Sequence, residues 1–217
     1  MKKLMTLMLM AAFAMPALAQ ITHTSKGDVD ENAEKILKKA SQKINAGAVS
    51  FSVTMISKDQ NKKETGKMKA DVLYNKGKYR VDFDENVIYC DGNSTWHWNK
   101  EVDEVVINKM SSSEDDLLNP ASILANYGKN FKAKFIRQEK DGTAIIDMTP
   151  KKSKSYYKIR LKINANSGII QSMEMHNYDG SCGEYKVSNF KSGVKTSDSD
   201  FTFSKSNNPK VEIIDMR

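Results

Sequence analysis

The chain is poor in the residues that build dedicated chemistry. Two cysteines in 217 residues are too few for a disulfide-stapled scaffold. The three histidines, His23, His97 and His176, form no His-x-x-x-His pair. Cys-x-x-Cys, Gly-x-Ser-x-Gly and Gly-x-x-x-x-Gly-Lys-Ser/Thr are also missing. Zinc hydrolases, redox thiols, serine hydrolases and phosphate-cradling loops need those spacings. No enzyme, metal centre or cofactor is therefore expected. Four prolines and 11 glycines exclude collagen-like and low-complexity chains. After the first residues no apolar run approaches the ~20 residues that a membrane-spanning helix needs.

What is present is ordinary in amount. Hydrophobic residues make up 39% and charged residues 28%, enough for one core and too apolar for whole-chain disorder. A formal charge of +7 and a pI near 9.2 raise the question of nucleic acid. The N-terminus answers it. Lys2 and Lys3 precede an apolar run, Leu4 to Phe13, broken only by Thr6, and Pro16 leads into Ala17-Leu18-Ala19. That is the small-x-small pattern of a cleavable export signal, so residues 1–19 are expected to be removed and 20–217 to form a single domain. No cysteine stands at the cleavage point to carry a lipid anchor. Losing two lysines lowers the charge from +7 to +5, in a periplasm where nucleic acid is scarce. Anionic membrane surfaces or acidic partners are the expected targets of that charge.

Hydrophobic periodicity divides the remainder. Ile36, Leu37, Ala40 and Ile44 recur at helical spacing between Asp30 and Ala46, with Asp30 as cap, Glu31 and Glu34 near the start and Lys43 near the end. The period then switches to two. Val49, Phe51, Val53 and Met55 share a face, as do Met68, Ala70, Val72 and Tyr74, and then Tyr79, Val81 and Phe83. Asn75 to Lys78, Asp91-Gly92-Asn93, Asp141-Gly142 and Asp179-Gly180 punctuate the strands as antiparallel turns. Leu117, Leu118, Ile123 and Leu124, around Pro120, interrupt the strands as a short helical insert. The pattern predicts about ten or eleven strands in one strongly curved antiparallel sheet, with an N-terminal helix and a mid-chain insert against one face.

Few residues stand out as sites. Cys90 and Cys182 are candidates for a disulfide in an oxidising compartment, but sequence sets no distance between them and the reduced state is the default expectation. His97 with Cys90 and Asp91 is a conceivable nucleophilic or metal cluster, and a surface histidine on a half-exposed strand is the simpler reading. The rings of Trp96, Trp98, Tyr79 and Phe83 would be core in a sandwich. In a curved sheet with no second sheet over it they would line a cavity, for which the Leu117–Leu124 insert would be a cover.

Several segments in series resemble one family. Val87-Ile88-Tyr89-Cys90-Asp91-Gly92-Asn93-Ser94-Thr95-Trp96-His97-Trp98-Asn99 is similar to an apolar strand, Asp-Gly turn and Trp strand of the periplasmic lipoprotein carrier family, LolA. Asn119-Pro120-Ala121-Ser122-Ile123-Leu124 resembles its Asn-Pro-led helix, and Phe201-Thr202-Phe203 through Val211 to Asp215-Met216-Arg217 its closing strand and tail. The resemblance implies an incomplete antiparallel barrel with a helical lid and an apolar cavity for lipoprotein acyl chains. It implies an ABC-type inner-membrane release complex as donor, an outer-membrane acceptor in some bacteria, transient membrane proximity, a monomeric carrier and no chemistry by the carrier itself. The expected cavity floor is Phe51, Val53, Tyr79, Val81, Trp96 and Trp98; the expected lid is Leu117, Leu118, Ile123 and Leu124. A one-residue slip in phase would exchange the floor for its opposite face. The family's Arg-Pro stretch, whose Arg helps hold the lid, is replaced by Asn75 and Lys76, and lysine lacks the planar guanidinium fork. Two rivals stand beside this reading: a periplasmic lipid-binding or envelope-stress sensing half-barrel, and an enzyme using Cys90 or His97.

Overall fold

The computed structural model of the chain describes residues 30–110, 124 and 127–217. The expected leader 1–19 and Leu117, Leu118 and Ile123 of the expected lid lie outside the described residues. Helix α1 (Glu31–Asn45) starts where the Asp30 side chain accepts from the backbone N–H groups of Asn32 and Ala33. Glu31 and Glu34 sit at its positive end and Lys43 at its negative end. Ala33, Leu37, Ala40 and Ile44 form its buried stripe. Two contacts fix the helix on the sheet. The Asp30 N–H donates to the Ala133 carbonyl, and Lys39 Nζ donates to the Ala165 carbonyl. Gly168 lies under the helix at φ +73°, where a Cβ would stand 2.9 Å from the Lys39 carbonyl oxygen; only glycine fits that approach.

The strands are β1 (Val49–Lys58), β2 (Glu64–Asn75), β3 (Lys78–Phe83), β4 (Asn86–Cys90), β5 (Ser94–Asn99), β6 (Glu104–Lys109), β7 (Phe131–Gln138), β8 (Thr143–Pro150), β9 (Tyr156–Asn164), β10 (Ile170–Asn177), β11 (Cys182–Ser192) and β12 (Glu212–Asp215). A helical turn, α2 (Tyr127–Asn130), leads into β7. The twelve strands form one open sheet in the order β12-β6-β5-β4-β3-β2-β1-β11-β10-β9-β8-β7. This is the expected curved, mostly antiparallel half-barrel with one strand more. The last strand, β12, falls where Val211–Ile213 is expected to close the sheet, and it joins β6 in parallel. The expected Phe201–Phe203 strand is instead a 3-10 turn (Asp198–Phe201) followed by an extended residue. The reason is topological. β11 and β12 lie seven strand positions apart in the sheet, and residues 193–211 bridge them by crossing its outer face. The 3-10 turn packs there on β3 and β4.

Register fixes which side chains face inward, because cross-strand partners share a face. Tyr79 pairs with Tyr74 and Val81 with Val72; Val72 pairs with Phe51 and Ala70 with Val53. Val53 pairs with Val187, Tyr185 with Met173, Met173 with Leu161 and Leu161 with Ile146. One apolar face therefore runs across nine strands, and α1 lies on it. A bulge adds curvature. Between Ser50 and Ser52 the partners step from Lys191 to Ser188, with Asn189 at φ +55°. The extra residue brings the Phe190 ring to 6.3 Å from Phe51, nearly parallel to it.

Candidate functional site

The inner face is not filled everywhere. Between the C-terminal end of α1 and strands β3, β2, β1, β11, β10 and β9 lies an apolar cavity of about 130 Å³ that is partly open to solvent. Phe51, Val53 and Met55 of β1 line it, with Met68, Ala70 and Val72 of β2, Val81 and Phe83 of β3, and Tyr185, Val187 and Phe190 of β11. Leu161, Ile170 and Met173 form the far wall, and Ile44 and Leu124 the roof. No charged side chain lines it among the described residues. Tyr185 brings a hydroxyl, and burial pushes that phenol up from its ordinary pKa, with the Cys182 thiol adding to the effect, so the wall stays uncharged. Met55 and Met68 are direct cross-strand partners, and Met173 faces them from β10. Flexible thioethers let such a wall adapt to a chain of variable shape.

The expected floor residues divide. Phe51, Val53 and Val81 line the cavity. Tyr79 is one row further along the same inner core, opposite Cys90. Trp96 and Trp98 face the other way. Tyr79 opposes Cys90 and Cys90 opposes Thr95, so Thr95 and His97 continue the inner face and both tryptophans point outward. There they pack with Val105, Ile107, Val211 and Phe203 in a second small core. The Trp98 and Phe203 rings meet edge to face at 5.5 Å. The tail that crosses the sheet is the cover the tryptophans require. Leu124, the one described residue of the expected lid, is 1% exposed and closes the cavity. At the expected latch, Lys76 (φ +48°) and Gly77 (φ +92°) form a tight two-residue turn. Asn75 points outward and donates from its amide to Thr196 Oγ1.

No disulfide joins Cys90 to Cys182. Cys90 faces inward on β4 and its thiol contacts Met110 Sδ at 3.7 Å. Cys182 is on β11, four strand spacings away, where its partners Lys58 and His176 place it on the outer face. The nucleophilic cluster is not assembled either. The Asp91 carboxylate closes its own turn by accepting from the N–H groups of Asn93 and Ser94, and His97 leans on Phe83 with ring centroids 6.4 Å apart. Among the described residues no group of three or more His, Cys, Asp or Glu side chains is placed to hold a metal ion.

The outer face of the other half of the sheet is charged. Arg160 grips Asp147 with two bonds of 2.7 and 2.8 Å, Lys162 reaches Glu174 at 3.1 Å, and Lys58 and Lys186 flank Glu184. Many of the strand lysines therefore sit outside an apolar interior. The cavity residues that the sequence reading did not single out, such as Tyr185, Val187, Phe190 and Met173, lie on strands whose apolar alternation was visible. Their shared cavity depends on pairing β1 with β11, 137 positions apart at Ser52 and Asn189.

A family model described as "Outer membrane lipoprotein carrier protein LolA" matches residues 42–204. The chain belongs to the LolA family. Its fold is similar to that of an uncharacterized conserved protein from Thermus thermophilus, 12% identical, with a TM-score of 0.59 over 85% of this chain and 99% of that one. A LolA superfamily protein from Nitrosomonas europaea is 17% identical, with a TM-score of 0.43 over 79% of this chain and 97% of that one. The Pseudomonas aeruginosa MucA/MucB complex contains a chain 10% identical, with a TM-score of 0.41 over 79% of this chain and 60% of that one. No curated protein matches the chain. The LolA match covers every cavity-lining strand and stops before β12.

Proposed function

We propose that residues 20–217, freed of a signal at 1–19, act as a periplasmic carrier that shields lipoprotein acyl chains in the apolar cavity. The observation that carries this is the cavity itself: an uncharged pocket with an adaptable methionine wall, roofed by Leu124, in a chain of the LolA family. Each buried CH₂ is worth about 0.8 kcal/mol, so lipoprotein acyl chains do not cross water unshielded. In this reading an ABC-type inner-membrane release complex loads the carrier and the outer membrane, through an acceptor where one exists, unloads it. Leu117, Leu118 and Ile123 join Leu124 as the lid. With Asn75 and Lys76 in place of an Arg latch, the lid closes more weakly or through other contacts. The carrier works as a monomer and catalyses nothing.

Mass spectrometry of material extracted from the protein purified from periplasm tests the proposal. Acylated peptides are the expected cargo. Phospholipid alone would point to the lipid-binding or envelope-stress sensing alternative, and an empty cavity after mild purification would count against both.

A further inference from the structure

The sheet ends in β7 on one side and β12 on the other, and the two edges are guarded differently. β7 carries Lys134 and a break in register between Phe135 and Arg137, the charge and irregularity that keep an edge from pairing with other chains. β12 has no lysine, no proline and an unbroken register. The N–H groups of Glu212 and Met216 donate to the Asp103 and Ile107 carbonyls, each at 2.8 Å, so positions 212, 214 and 216 bond toward β6. Alternation along the strand turns the N–H and C=O groups of Ile213 and Asp215 the other way, where no described strand meets them.

The side chains suit a further strand. Six large apolar side chains are exposed among the described residues, and four of them, Val102, Ile213, Ile214 and Met216, lie at this edge. Glu212 stands directly opposite Glu104 on β6. Like charges so placed destabilise a pair, and a cation beside Glu212 on an added strand would offset them. Asp215 is already matched within the chain by Arg217. Glu212, Ile214 and Met216 share one face and Ile213 takes the other. Two copies of β12, paired antiparallel about Ile213 and Ile214, would set Glu212 of one against Asp215 of the other, acid against acid. The edge therefore suits a different chain, extended, part apolar and part basic.

We propose that β12 is a docking edge that takes an extended segment of another protein as an antiparallel strand, with a lysine or arginine opposite Glu212 and apolar residues opposite Ile213, Ile214 and Met216. The edge lies four strand positions from β3, the nearest strand lining the apolar cavity, so docking leaves the cavity free.

The probe is the fluorescein-labelled peptide Thr-Val-Thr-Val-Ile-Lys-Thr, titrated against the full chain by fluorescence anisotropy beside an analogue with glutamate in place of lysine. The lysine peptide should bind about fivefold more tightly than its analogue, and Glu212→Lys should reverse that preference. Ile213→Pro removes a donor that points away from β6, so β12 should stay in place while binding of the lysine peptide falls by roughly tenfold or more. Amide hydrogen exchange followed by NMR reads both points. The Ile213 and Asp215 amides should slow when the lysine peptide is added to the parent chain, and the Glu212, Ile214 and Met216 amides should stay protected in Ile213→Pro. If the proline unseats β12, the charge reversal, which leaves the backbone intact, decides. Absence of saturable binding below about 1 mM would overturn the proposal. So would full binding by an Ile213→Pro chain whose β12 remains protected, or an unchanged preference in Glu212→Lys. Self-association of the chain that Ile213→Pro abolishes would make the occupant a second copy and would overturn it too.

Discussion

At the scale of single residues, the outer face shows how a carboxylate becomes a pH-dependent strut. Burial alone would raise the Asp147 carboxyl, but the paired Arg160 guanidinium, with Lys158 and His176 nearby, overrides it and holds the group below its ordinary value. The same pair raises Arg160. A carboxyl lowered by folding contributes stability that is full above its unfolded pKa, about 3.9, and is lost as the pH falls through the folded value. Asp147→Asn should therefore cost about 1–3 kcal/mol at pH 7, the usual worth of hydrogen bonds to a charged group. The gap between variant and parent should close at acid pH, once the parent's own carboxyl is protonated. Urea unfolding at pH 7, 5 and 3 measures it; a gap that stays constant to pH 3 would show that the pair is not what Asp147 contributes. His176 shifts downward, through burial first and then Lys158, so it stays neutral around its ordinary pKa.

At the scale of elements, the C-terminal tail behaves as an outer wall. Phe201 is 1% exposed and Val211 3% exposed on the face opposite the cavity, and β12 then pairs with β6. Phe201→Ala should destabilise the protein by about 3–5 kcal/mol, and Phe203→Ala, which removes the ring that meets Trp98 edge to face, should shift the tryptophan emission to the red. Fatty-acid affinity at low temperature should stay unchanged, since the lost packing lies outside. An unshifted emission maximum would mean that the tail does not shield the tryptophans. This wall also marks where the sequence stopped being legible. The capped helix, the period-two strands and the turns at Asn75–Lys78, Asp91–Asn93, Asp141-Gly142 and Asp179-Gly180 could all be read from residue type. The face of β5 could not. It depends on parity carried from Phe51 through four hairpins, and the last step, Cys90 opposite Thr95, is set by the geometry of one turn. Two tryptophans on a strand suggest an interior; they do not say which interior. The Val211–Ile213 segment reads as a closing strand, but nothing in its residue types announces that the tail will cross the outer face and pair in parallel with β6.

At the scale of the molecule, the open sheet explains why a cavity exists. A closed barrel would pull β7 and β12 together, and a second sheet would fill the concavity. Here α1 covers part of the inner face, and the remaining part is roofed by Leu124. Such a structure is stabilised by whatever fills it. A ligand at 100 times its dissociation constant adds about 2.7 kcal/mol, worth roughly 5–10 °C in Tm for a chain of this length. A titration with a long-chain fatty acid or a diacylated lipopeptide, followed by thermal unfolding, should show that rise. Val53→Glu should abolish it by placing a charge in the wall. Leu124→Glu should abolish it, and Leu124→Ala should weaken it while keeping the fold. Trp96→Ala should lower Tm in the free protein but leave the ligand-induced increment intact, because Trp96 lies on the other side of the sheet. The increments, rather than the absolute melting temperatures, carry the test. A Val53→Glu protein that still gains the full increment would place the ligand somewhere other than the apolar cavity. An increment lost in Trp96→Ala alone would return the binding surface to the outer face.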